Sequence, residues 1–315
     1  MYTVIGITGK TGGTAARKLL ANGQKVRGVI RNAANAAEWR ARGAEIVVAK
    51  LSDKEQMARA FEGSEGVYIM LPAYFEAPNM FAENIRDLAS LKQAVMASGV
   101  RKVVFLSSIG AERETGTGAI LKLHEMEETF SSLPISTVAI RAGWFMENFH
   151  GLIPSARETG VLPSFLDPLD LHVPMIATRD IGTVAAELLQ QTWSGHRVLE
   201  LAAEPSLSPI DVASTFSKVF GREIRASVLP QDEWIPTYRS WGLTTISSEA
   251  MAEMMEGFNS HRIAFGKTGA ERIVAKTTLE QVLQETLSPE RFVKSAIKCK
   301  SDDNDQKVYG RGGER

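Results

Sequence analysis

Through the first half of the chain, short β-rich apolar runs alternate with longer stretches of helical period, the rhythm of repeated strand–helix units. The runs predict strands over 2–7, 25–30, 45–49, 66–71, 102–107 and 136–141, and helices over 12–22, 35–42, 54–61, 79–98 and 119–131. Gly23, Gly43, Gly63 and Gly99 stand where helices stop. Strands joined through helices need right-handed crossovers, hence a parallel sheet covered on both faces: a doubly wound α/β fold. After residue 142 the rhythm loosens, with helices expected over 145–158, 180–192, 208–220, 231–241, 248–258 and 278–297, one strand over 197–202, and no second strand–helix array. The expected organisation is a sheet domain over 1–142, a smaller, mainly helical lobe over 143–297 with segments returning to the sheet, and a disordered tail over 298–315, which lacks apolar periodicity.

Composition narrows the classes. With 315 residues, 44% hydrophobic and 23% charged, the chain can build a substantial core. A net charge of −1 gives no field favouring nucleic acid or an acidic membrane surface, so neither is an expected partner. Cys299, the one cysteine, excludes an intrachain disulfide, and the scattered histidines offer no zinc spacing. Met1 leads into the first strand without a basic leader or a long apolar span, so a cytoplasmic protein is expected.

Candidate chemistry begins at the end of the first strand, with Gly6, Thr8, Gly9, Lys10, Thr11 and Gly12. A P-loop would need a glycine at position 4, which is Val4. What remains is G-x-x-G-x-x-G between strand and helix, where glycines allow a tight turn and close backbone approach to a pyrophosphate at the helix's positive end. Thr8 and Thr11 would add hydroxyl donors, and Lys10 a charge. The second strand ends in Arg31, where a NAD site carries a carboxylate for the ribose hydroxyls. A guanidinium pairs instead with a 2′-phosphate, so the expected cofactor is NADP(H).

Four stretches then resemble the NmrA-like family, an atypical branch of the short-chain dehydrogenases/reductases. They are Gly6 to Gly12 with Arg31, Val103 to Gly110, Arg141 to Asn148, and Ala177 to Gly182. The resemblance implies a Rossmann-like NADP(H) domain and a small substrate lobe, in a family with both quinone reductases and redox-sensing regulators. It places Leu51, Leu71, Pro72 and Ser107 along the cofactor, and Ser108, Trp144, Phe145 and Asn148 about the substrate. The chain departs from the family pattern at Lys50, where relatives commonly carry Asp near the adenine.

No tyrosine is followed four residues later by lysine, so the superfamily's usual proton-donating pair is missing. In the helix that should carry the lysine, alignment puts Leu123 in its place, flanked by Lys122 and His124. One residue turns a helix by about 100°, so the two flanking side chains cannot both face a nicotinamide. Met251, Met254, Met255 and Phe258 have helical spacing and are read as packing. Two functions follow. One is a reductase passing hydride from NADPH to a quinone-like electrophile, which needs less acid help than a ketone. The other is a non-catalytic NADP(H) sensor acting as a transcriptional co-regulator through a protein partner. A homodimer is compatible with either.

Overall fold

The computed structural model describes residues 1–266 and 269–288. Strand β1 (Tyr2–Ile5) is buried at every position, as a central strand covered on both faces must be. The first half continues α1 (Lys10–Ala21), β2 (Val26–Ile30), α2 (Ala36–Ala41), β3 (Glu45–Val48), α3 (Lys54–Phe61), β4 (Gly66–Ile69), α4 (Met80–Ser98), β5 (Lys102–Ser108), α5 (Leu121–Ser131) and β6 (Ser136–Ala142). Local signals set the boundaries. Asn79 accepts hydrogen bonds from the Phe81 and Ala82 amides to start α4, and Gly99, at φ +71°, ends it in the left-handed region.

The second half carries β7 (Trp144–Phe145), α6 (Ile153–Thr159), β8 (Val161–Ser164), β9 (Val173–Ile176), α7 (Thr178–Gln190), β10 (His196–Leu207), α8 (Pro209–Phe220), β11 (Arg225–Val228), α9 (Trp234–Ser240), α10 (Thr245–Asn259), β12 (Glu271–Ala275) and α11 (Leu279–Leu287). Strand order in the main sheet is β3-β2-β1-β4-β5-β6-β10-β9-β7, with β12 also on β10. All its pairs are parallel except β9 with β10. The order reverses direction between β1 and β4, which opens a crevice at their carboxyl ends. One apolar cluster, including Leu19, Ile181 and Leu189, fills one side of the sheet, and another, including Phe61, Leu91 and Phe105, fills the other. A third, around Phe216, Trp234 and Met255, lies in the second lobe.

The second half departs from expectation in definite ways. Strands β7, β8, β9, β11 and β12 are additional, with β8 and β11 forming a separate two-stranded parallel sheet. They are only two to five residues long, and Pro163 and Pro174 interrupt two of them, so no period of two could emerge. The helix expected over 145–158 is a 3₁₀ segment, Met146–Leu152, followed by α6, because Pro154 suits a first turn rather than a helix interior. Of the helix expected over 278–297, α11 accounts for 279–287; the remainder beyond 288, Cys299 and the tail at 298–315 lie outside the described residues.

Helix α7 packs directly on α1. At Gly182 an added Cβ would lie 2.4 Å from the Thr11 carbonyl oxygen and 2.6 Å from the Thr14 Cβ. The start of α7 is tied to the second lobe through Glu147, whose carboxylate accepts from the Thr178 amide at 2.9 Å and from its hydroxyl. This bond joins the two stretches Arg141 to Asn148 and Ala177 to Gly182 in space. No described helix is long and apolar enough to cross a membrane.

Candidate functional site

The glycine loop sits at the crevice. Gly6 has φ +70°, which admits few other residues, and its carbonyl accepts from the Gly9 amide at 2.8 Å. Gly9 begins α1 with no side-chain cap, and the first turn holds no acidic residue, so the helix's positive end is left for an anion. Gly12 has another task. An added Cβ there would lie 2.4 Å from the Gly6 carbonyl oxygen and 2.9 Å from that of Ile5, so its missing side chain lets α1 meet the end of β1. These features fit a pyrophosphate cradle.

The flanking side chains divide. Thr8 and Lys10 are exposed, whereas Thr11 is 4% exposed and its hydroxyl lies 3.6 Å from the Met70 sulfur. The hydroxyl expected to face a phosphate at Thr11 therefore points into the protein, because Thr11 lies on the face of α1 that packs inward. Arg31 is exposed at the carboxyl end of β2, and its charge reaches Tyr74 and Asp87. The Tyr74 hydroxyl donates to Asp87 at 2.6 Å, fixing the loop after β4. Leu51 and Leu71 are both buried, with Pro72 half-buried beside Leu71.

From this edge a cavity of about 670 Å³ runs into the second lobe. Met70 joins the two regions: its sulfur would lie 2.9 Å from a Cβ at Gly6, and its side chain also lines the cavity. Leu71, Ser107, Ser108, Trp144, Phe145 and Asn148 all line it, so the residues assigned to the substrate converge there. Ser107 donates its hydroxyl proton to Glu127, a buried carboxylate held by Arg141 at 2.6 Å, which leaves the Ser107 oxygen as an acceptor. The buried Trp144 indole N–H has no acceptor among the described residues.

On α5 the three neighbouring residues separate. Lys122 and Leu123 line the cavity, whereas the His124 Nδ1–H donates to the Ala111 carbonyl at 2.9 Å away from it. Lys122 is the only charged side chain among the described lining residues. Its Nζ donates to the carbonyls of Pro72 at 3.2 Å and Ala73 at 3.4 Å and lies 5.7 Å from the Phe75 ring centre. Burial disfavours its charged form and pulls the ammonium pKa down to about 8.

Met251, Met254, Met255 and Phe258 pack in the second lobe's apolar cluster, as expected, and all four also line the cavity. An apolar helical stripe reads the same whether it faces a solid core or a cavity wall. Phe165, Tyr238 and Trp241 also line it, and nothing in their sequence spacing pointed to a common wall.

Known proteins share this fold. A NAD(P)H azoreductase from Xenophilus azovorans is 24% identical over 255 residues, covering 81% of this chain and 86% of the relative. Among solved structures, an NADPH-dependent quinone oxidoreductase from Escherichia coli in complex with NADPH superposes with a TM-score of 0.76 at 20% identity, over 91% of this chain and all of that one. NmrA, a negative transcriptional regulator in complex with NAD, has a TM-score of 0.70 at 18% identity, over 93% and 97%. The profile of the NmrA-like family matches residues 2–287, through both the glycine loop and the cavity walls, and with that match the chain belongs to the NmrA-like family.

Proposed function

We propose that this protein is an NADPH-dependent reductase of a quinone-like electron acceptor. The reading rests chiefly on Lys122, the one cation among the described lining residues of a largely apolar cavity that begins at Met70, the residue packed against Gly6 of the glycine loop. Gly6, Gly9 and the uncapped start of α1 would receive the pyrophosphate, with Thr8 and Lys10 beside it and Arg31 at the 2′-phosphate. The Ser107 oxygen, Leu71 and Pro72 would border the nicotinamide end. Bound there, NADPH would supply a hydride, so that quinone, NADPH and one proton from solvent give hydroquinone and NADP⁺.

The chain's own part is electrostatic. Hydride arrival places negative charge on the quinone oxygens, and an ammonium in an apolar wall attracts that charge far more strongly than one in water. Because a quinone spreads the charge over its ring and both oxygens, a positioned phenol is dispensable, which accords with the missing Tyr-x-x-x-Lys pair. A simple ketone concentrates the charge on one oxygen and should be a poor substrate. The test is NADPH oxidation, followed by absorbance, with a series of quinones and simple ketones. Rapid turnover of a ketone with quinones untouched would refute the reading. Tight NADPH binding without oxidation by any acceptor would favour the sensor.

A further inference from the structure

The cavity, about 670 Å³, is far larger than one quinone ring needs, and part of its wall is aromatic. Phe165 stacks on Tyr238 with ring centres 4.7 Å apart and planes at 10°, and Trp241 stands edge-on to both, at 5.9 and 5.6 Å. Tyr238 is 3% exposed, while Trp241 is 53% exposed, so part of this cluster is fixed and part faces an opening. The Thr244 amide donates to the Phe75 carbonyl at 3.1 Å, joining the chain just after Trp241 to the loop that carries the carbonyls bonded by Lys122. The same cavity is lined by Met251, Met254 and Met255, flexible thioethers that adapt to flat apolar surfaces.

Building on the reductase reading, we infer that the acceptor is a planar, fused multi-ring aromatic compound. One ring carries the reducible oxygens towards the sheet edge and Lys122, while the outer rings lie against Phe165, Tyr238 and Trp241. A one-ring quinone would leave the aromatic wall uncovered and most of the volume to water. Cavities of this size typically enclose most of a drug-sized ligand's surface, a scale that three fused rings approach and one does not. Trp241 becomes the specificity-determining residue, since its half-exposed ring can cover the outer rings without being needed to hold the lobe together.

Binding separates this inference from the reaction. In the presence of NADP⁺, which has no hydride to give, calorimetry would compare anthraquinone-2-sulfonate with benzenesulfonate; the two share a charge, and the first adds two fused rings and two carbonyls, so the Trp241 and Phe165 variants isolate the contribution of the rings. The three-ring probe should bind at least about tenfold more tightly, and Trp241→Ala should remove about tenfold of its affinity while leaving the one-ring probe unchanged. Trp241→Phe should retain most of it, and Phe165→Leu should reproduce the loss if Trp241→Ala does not fold. Equal affinity for the two probes, or an anthraquinone affinity indifferent to both substitutions, would overturn the inference. In turnover, kcat/KM for 9,10-phenanthrenequinone should exceed that for 1,4-benzoquinone, and Trp241→Ala should narrow the ratio through KM. Turnover without ring-number preference would sink the inference and leave the reductase reading standing. Ring-selective binding with no turnover of any quinone would do the reverse.

Discussion

The two ends of the site are built from opposite materials. At the glycine loop, shape comes from backbone: Gly12 is pressed against the Gly6 and Ile5 carbonyls, and the Gly9 amide is bonded to Gly6. In the cavity shape comes from side chains, methionines and aromatic rings, with Lys122 the single charge among the described lining residues. Backbone at van der Waals limits tolerates no substitution, whereas flexible side chains re-pack around what they lose. The first region is suited to one invariant ligand and the second to a ligand that may vary in outline.

The sharpest test of this contrast is Gly12→Ala. The methyl would collide with backbone rather than with a movable side chain, so NADPH affinity should fall by at least about a hundredfold in calorimetric titration, with a lowered Tm. Near-normal binding would show that the loop has more freedom than its geometry allows. Next comes Arg31→Asp, which should weaken NADPH by about 10- to 100-fold while sparing NADH, the range expected for a charge-assisted contact of roughly 1.5–3 kcal/mol. Equal wild-type affinity for the two cofactors would remove the 2′-phosphate contact.

Lys122→Ala should lower kcat/KM for a quinone by about tenfold, below the ~10²–10⁴-fold that marks loss of a general acid. Its titration adds two signatures of opposite sign. Activity should fall as pH rises through about 8, where the ammonium is lost in the folded protein. Between that value and 10.5 the unfolded chain binds more protons than the folded one, so stability from this group should rise with pH. Both trends should vanish in Lys122→Ala. Within the methionine wall, Met254→Leu should alter quinone KM only a few-fold, and His124→Ala should change kcat/KM by less than about twofold, since its ring is bonded to Ala111 outside the cavity.

The same contrast governs what was legible in the sequence. Glycines at fixed spacing between a strand and a helix carry their meaning locally, so the loop's place and the six strands β1 to β6 could be read from the chain. The aromatic wall could not, because Phe165 follows β8 while Tyr238 and Trp241 lie at the end of α9, brought together only by the fold. The Thr11 hydroxyl shows a finer limit. Its place in the loop was readable, but the turn of α1 that faces it towards Met70 depends on how closely Gly12 lets the helix approach.

Gly182 lines neither the cradle nor the cavity, yet its absent side chain serves both. A single added carbon would wedge α7 away from the first turns of α1. The same helix begins at Thr178, which grips Glu147, the neighbour of cavity-lining Asn148. A defect of one methyl group, at a position that lines neither region, would therefore be felt by both binding partners at once, and a survey of contact residues alone would never single it out.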